Sequence, residues 1–390
     1  MDQMQLHQHN TSRTLRLLYG ASPLTMAELK TESGLSRRTL ELILENLTAK
    51  GWVTENDAPP KGARSAGRPA RSFSFNYQRG CLLVIQLEAG RISATIADLA
   101  ATPMSETRRS LPVRTSRQER LLILEECVDK LLVRSGRNRK SVMSVTVSTP
   151  GIVHDEGTIH LPATMPEWTG FSLSEAVGRL FGCPVRVEND AKLAALGEKW
   201  SREGEAQDFA YIFSDSERFG VGLVIRNELY RGLNGAAGEI ASAPELGLSG
   251  VTSPLLVGLE DADSPHHERS LSLVSAARSG EPQALEEVES LAHTLVPAVT
   301  ALAWILAPQE IVLGGGLGAI QDLLVPALQK ALESNDRPIA TRIRGSQFGD
   351  ESILNGCLRM GVESLGTELF DSPDLHPSVP DARDASRQGV

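Results

Sequence analysis

The chain has 390 residues, 41% of them hydrophobic and 23% charged, with a net charge of −10 at pH 7. That length exceeds one ordinary core and predicts two or three domains, and the composition excludes a disordered or collagen-like chain. No apolar run reads as long as the ~18–20 residues of a membrane span, and the polar start carries no signal-peptide core, which together predict a cytoplasmic protein.

The charge is unevenly spread. Residues 1–80 hold 11 Lys and Arg against 7 Asp and Glu, a net +4, while the remainder carries −14. A basic head on an acidic body confines attraction for phosphate to one end. The four cysteines, Cys81, Cys127, Cys183 and Cys357, include no Cys-x-x-Cys pair, which predicts free thiols and no cysteine-cluster zinc site.

In chain order, a helical pattern covers Ser12 to Tyr19, and Pro23 breaks it. Thr25 followed by Glu28 has the spacing of a capping box and predicts a second helix, stopped at Gly34. Ser36 then caps a third helix to about Lys50, with Leu40, Ile43, Leu44 and Leu47 as its buried stripe. Trp52-Val53 starts a strand, 56–67 is loop chemistry, and Ser72 to Phe75 reads as the returning strand. Three helices followed by a hairpin with a basic tip make a winged helix-turn-helix over residues 1–80. Its recognition helix would offer Ser36, Arg37, Arg38 and Thr39 to double-stranded operator DNA. Arg64 and Arg68, the latter in Gly67-Arg68-Pro69, would enter a narrow minor groove.

From Cys81 onward strands alternate with helices, which predicts an α/β body. Strands are expected at Cys81–Leu87, Arg91–Asp98, Val142–Ser148, Pro184–Val187, Phe209–Ser214, Gly220–Ile225 and Glu310–Leu313. Helices are expected near Arg117–Ser135, Asp190–Trp200 and Pro282–Leu306. The tail 371–390, rich in Pro, Asp and Ser, has the composition of a disordered segment.

Four segments of the body carry a resemblance: Thr149-Pro150-Gly151, Val185 to Ala191 (VRVENDA), Leu229 to Ile240 (LYRGLNGAAGEI) and Pro308 to Leu317 (PQEIVLGGGL). Together they resemble the ROK family (repressors, open reading frames and kinases), over about residues 80–370. The resemblance implies a two-lobed, actin-like ATPase fold for 81–370, with lobes of about 81–200 and 201–370. ROK repressors likewise carry an N-terminal winged helix-turn-helix.

The family's kinase machinery departs residue by residue. Where the family has Asp-x-Gly-Gly-Thr, this chain reads Gln86-Leu87-Glu88-Ala89-Gly90, and the second glycine-rich loop aligns with Ser216 to Gly220. Glu88, Ala89, Glu217 and Arg218 thus stand where phosphate oxygens should approach bare backbone. The expectation is no ATP binding, no kinase activity and no cofactor. The family's zinc-binding histidine and cysteines are also missing, so no metal is expected. Asn189, Asp190 and Glu239 match sugar-contacting positions, and Asp190 matches the kinases' catalytic base. Thr164 and Ser242 replace the family's Asn and His, each removing a hydrogen bond of about 0.5–1.5 kcal/mol. This set fits a sugar or sugar phosphate, a changed small ligand, or no ligand, with Asp190 a mere helix cap and Glu239 a structural ion pair. His266-His267 reads as a solvated surface pair, and His154 and His160 flank a loop near the cleft. The sequence therefore predicts a transcriptional repressor of carbohydrate-related genes, working as a homodimer or homotetramer. The rival readings are a sugar kinase with a DNA-binding head and a ligand-independent regulator.

Overall fold

A computed structural model describes residues 3–21, 23–56, 71–201, 207–215, 218–259, 262, 264–333 and 340–371. The chain opens with helix α1 (Gln3–Tyr19), strand β1 (Leu24–Thr25), α2 (Met26–Ser33), α3 (Arg37–Ala49) and the strands β2 (Val53–Asn56) and β3 (Ser72–Phe75). The three strands form an antiparallel sheet ordered β1-β3-β2. Local chemistry sets the boundaries of α2 and the start of α3. The Thr25–Glu28 capping box starts α2, Gly34 ends it at φ 67°, and Ser36 caps α3 by accepting from the Thr39 amide. Trp52 is buried where α3 meets the hairpin, 5.9 Å from the Phe75 ring. The arrangement is that of a winged helix-turn-helix.

The first body sheet comprises β4 (Cys81–Leu87), β5 (Arg91–Ala97), β6 (Pro103–Ser110), β7 (Val142–Thr149) and β10 (Val185–Asn189), in the order β10-β7-β4-β5-β6. Between β6 and β7 runs α4 (Arg117–Arg134); the hairpin β8 (Ile152–Val153) and β9 (Ile159–His160) and helix α5 (Leu173–Gly178) precede β10, and α6 (Asp190–Ser201) follows it. The second sheet comprises β11 (Phe209–Ser214), β12 (Phe219–Ile225), β13 (Glu228–Tyr230), β14 (Glu310–Gly315) and β15 (Arg342–Gly345), in the order β13-β12-β11-β14-β15. Its helices are α7 (His267–Arg278), α8 (Pro282–Leu306), α9 (Gly316–Ala319) and α10 (Gln321–Glu333), and the last described helix is α11 (Ser352–Asp371). Each sheet thus repeats one plan, three antiparallel strands followed outward by two parallel ones. That internal duplication is the actin-like ATPase plan.

Helices α6 and α11 cross at close range. Gly197 and Gly356 permit it: a Cβ on Gly356 would stand 1.8 Å from the Leu193 carbonyl oxygen. α11 packs on β4 and β7 of the first sheet and also against α1. One continuous core, from Leu15, Leu40 and Phe75 to Leu82, Leu358 and Leu369, therefore joins the head to the body. Tyr19 seals this joint. Its hydroxyl donates to the Leu99 carbonyl, and its ring meets Phe370 edge-on at 5.4 Å.

Two expectations need correction. The sequence pattern offered no membrane-length apolar run, yet α8 contains an 18-residue stretch that is apolar enough to cross a membrane by length and composition. This stretch belongs to the protein's own core: Leu291, Leu295, Ala298 and Val299 lie buried against the second sheet. The first helix begins at Gln3 rather than Ser12, because its polar start has no apolar stripe to read.

Candidate functional site

In the head, the predicted quartet gathers at the start of α3. Ser36 and Thr39 are bonded to each other, their oxygens 2.8 Å apart. Arg38 is exposed, whereas the Arg37 guanidinium is drawn along its own helix to Glu41 at 2.9 Å. Arg64, Arg68 and Glu217, and the tail beyond residue 371, lie outside the described residues.

In the body, parallel strands end together at the place where such folds bind ligands. Asn189 lies opposite Thr149 at the end of β10, and Ser214 opposite Gly315 at the end of β11. Asn189 Nδ2 donates to the Gly151 carbonyl, and its Oδ1 accepts from the Lys192 amide, which makes Asn189 the side chain that caps α6. Asp190 follows. Its Oδ2 lies 3.2 Å from Arg218 Nη1, and Arg218 also pairs with Asp215 through Nη2. These side chains are largely enclosed, 22% exposed for Arg218 and 12% for Asp190. Burial pushes the Asp190 carboxyl up from the usual carboxylate range, and the Arg218 charge opposes it.

Glu88, in the turn between β4 and β5, belongs to the same electrostatic cluster. Both its oxygens accept from Arg91 Nη2 at 3.0 Å, while burial pushes it up and Arg91 and Arg218 pull it back. Glu239 is paired with Lys192, at 3.5 Å from an ammonium only 1% exposed. Thr164 Oγ1 is buried without a hydrogen-bond partner. Ser242 ends a short 3₁₀ turn and is exposed, so it does not join the enclosed set.

Chemically, both family-type carboxylates are already occupied. A general base must be free to accept a proton, and here Asp190 faces a guanidinium. A carboxylate at the Glu88 turn also repels a triphosphate.

Sequence reasoning missed three contributors. Arg120 in α4, with no exposure at all, donates to the carbonyls of Thr115, Val113, Glu88 and Ala89, and so fixes the shape of the 88–90 turn. Lys192 neutralises Glu239. Arg231 binds the buried Glu188 at 2.8 Å and Asp155 at 2.9 Å, beside a cavity of about 290 Å³ that α11 also lines. A charged residue one turn into a helix is the only signal for the first two. His154 and His160 stack at 3.8 Å. Among the described residues no cluster of His, Cys, Asp and Glu is arranged to hold a metal ion.

The profile of the ROK family matches residues 84–242 and 260–360. The chain belongs to the ROK family. The xylose repressor of Caldicellulosiruptor bescii is 22% identical over 392 residues, covering 92% of this chain and 97% of that one. Among solved structures, a ROK family transcriptional regulator, a homolog of the E. coli MLC protein, matches with a TM-score of 0.66 at 19% identity, covering 94% of this chain and 98% of that one. A ROK glucokinase from Streptomyces griseus, in complex with glucose and AMPPNP, matches with a TM-score of 0.58 at 23% identity, covering 73% of this chain and all of that one. The glucokinase likeness thus takes in less of this chain than the regulator likeness does.

Proposed function

We propose that this ROK protein is a sugar-responsive transcriptional repressor that has no kinase activity. In this reading residues 1–80 are the DNA-binding head and 81–370 the sensor and dimerisation body. The observation that carries it is the ion pair between Asp190 and Arg218: the residue that matches the kinases' catalytic base is held by a cation at 3.2 Å. Full-length likeness to a xylose repressor supports the regulatory part.

Ser36, Arg37, Arg38 and Thr39 would contact the operator, with Arg64 and Arg68 assisting from the wing. Asn189, Asp190, Glu239 and Thr164 would meet the effector, a sugar or sugar phosphate, with Ser242 at the rim. Thr164 Oγ1 supports this most directly, since a buried hydroxyl without a partner gains a hydrogen bond from a ligand. A cytoplasmic homodimer or homotetramer would set two heads on the half-sites of one operator.

The closed joint between α11 and α1 supports a route for the response. α6 begins at the cleft, crosses α11 at Gly197 and Gly356, and α11 seats the head. A ligand that shifts α6 would thereby bias how the heads are held. The test is fluorescence anisotropy on duplexes selected from a random pool, repeated with a panel of sugars and sugar phosphates, beside an ADP-release assay on the same panel. Sequence-specific binding that one sugar weakens is the expected result. ADP release that Asp190→Asn abolishes would overturn it.

A further inference from the structure

The inner face of α3 is fixed by Leu40, Ile43, Leu44 and Leu47, all buried. With 3.6 residues per turn, the opposite pole carries Arg38, Leu42, Glu45 and Ala49, and all four are exposed. Arg37 and Glu41 sit on a flank instead, paired to each other, and line a cavity of about 900 Å³ that Glu45 and Ala49 also border but Arg38 and Leu42 do not. The outward line of the helix is therefore led by Arg38 and, one turn on, Leu42.

Leu42 is 52% exposed and stands apart from the core that its neighbours build. An alanine or a lysine would serve the helix equally well there without showing an isobutyl group to water. In the major groove, the thymine C5 methyl is the apolar group that a base pair presents. An arginine, a turn of helix and an aliphatic side chain match a guanine followed by a nearby thymine. We infer that Leu42 is a specificity residue that packs on a thymine methyl in each operator half-site, beside a base pair read by Arg38. This rests on the head being a DNA reader and adds which chemistry it reads.

The test is a paired deletion, of a methyl from the DNA and of the side chain from the protein. Duplexes are selected from a random pool with the full chain, and each thymine of the enriched sequence is replaced in turn by deoxyuridine, which lacks only the methyl. Anisotropy then gives affinities for the unaltered protein and for Leu42→Ala and Leu42→Gln. One thymine per half-site should show a loss of about three- to fivefold on losing its methyl, the amount expected from burying one methyl group. Neither variant should lose more there, and Leu42→Ile should keep part of the effect. The guanine whose replacement no longer matters in Arg38→Ala should lie within two base pairs. Because Leu42 is exposed, the variants should melt with the unaltered protein, which separates lost recognition from lost folding. Three results overturn the inference: no thymine sensitive to its methyl, a sensitivity that Leu42→Ala retains in full, or Leu42→Ala changing the sedimentation of the free protein, which would place the side chain against a second copy. If no sequence is enriched at all, the DNA-reading function falls, and this inference with it.

Discussion

Replacing Arg218 with methionine keeps most of the side-chain volume and removes the cation that Asp190 and Asp215 share. Breaking one side of a fully buried pair costs about 3–5 kcal/mol. Here 22% of Arg218 and 29% of Asp215 remain exposed, so solvent recovers part of it and about 2–3 kcal/mol is the expected loss. Asp190→Asn should cost less, about 1–2 kcal/mol, because Arg218 keeps Asp215. If the guanidinium holds Asp190, the double variant should cost about 1–2 kcal/mol less than the two singles added. Urea unfolding of the full chain, followed by circular dichroism with unchanged slope, measures all four forms. The pH dependence has a definite sign. Burial raises Asp190 and Arg218 opposes that rise, so without Arg218 the folded protein holds its proton to higher pH. An acid with a raised folded pKa stabilises below its unfolded value and loses that contribution as pH climbs. The deficit of Arg218→Met relative to the unaltered protein should therefore shrink as pH falls from about 7 toward 5. Additivity within about 0.5 kcal/mol would refute the lock, and Asp190 would again be available as a base.

Other outcomes follow from the joint between head and body. Phe370→Ala removes a ring that is 9% exposed and packed on Tyr19; a loss of about 3 kcal/mol is expected, with faster amide exchange in α1 and in β2–β3. Tyr19 is pushed up to about 12, first by burial and then by the Tyr77 and Asp98 charges. Its contribution should hold below pH ~10 and fade as the pH rises toward 12, a loss absent in Tyr19→Phe and visible by near-ultraviolet titration. Gly356→Ala forces α6 and α11 apart by more than 1 Å, since contacts under 3.0 Å are essentially never seen for a real Cβ. A marked fall in melting temperature or insoluble expression should result, while Gly366→Ala, whose Cβ would meet only Phe370 at 3.8 Å, should be tolerated.

The start of the chain was legible because its signals are local. The Thr25–Glu28 box, Gly34 and Ser36 each act within four residues, and the structure places α2 and α3 where they direct. β6 was missed because Pro103–Ser110 is a mostly exposed edge strand with no apolar alternation to betray it. α11 was not among the expected helices; its glycines Gly356, Gly361 and Gly366 weaken a helical pattern, yet Gly356 is the requirement of a helix crossing. At the cleft, the sequence marked Glu88 and Arg218 as obstacles to phosphate, but not that Arg218 would reach Asp190, 28 positions away. Arg120 was invisible for a related reason. A guanidinium satisfied by four main-chain carbonyls leaves no carboxylate partner to search for.

Because α11 supplies the seat for α1, these two helices can pack together only after nearly everything between them has been made. At ribosomal speed, the N-terminal unit emerges on the order of tens of seconds before the helix that packs against it. During that interval α1 lacks the partner that α11 supplies in the shared core, and a chain truncated before Ser352 would lack it permanently.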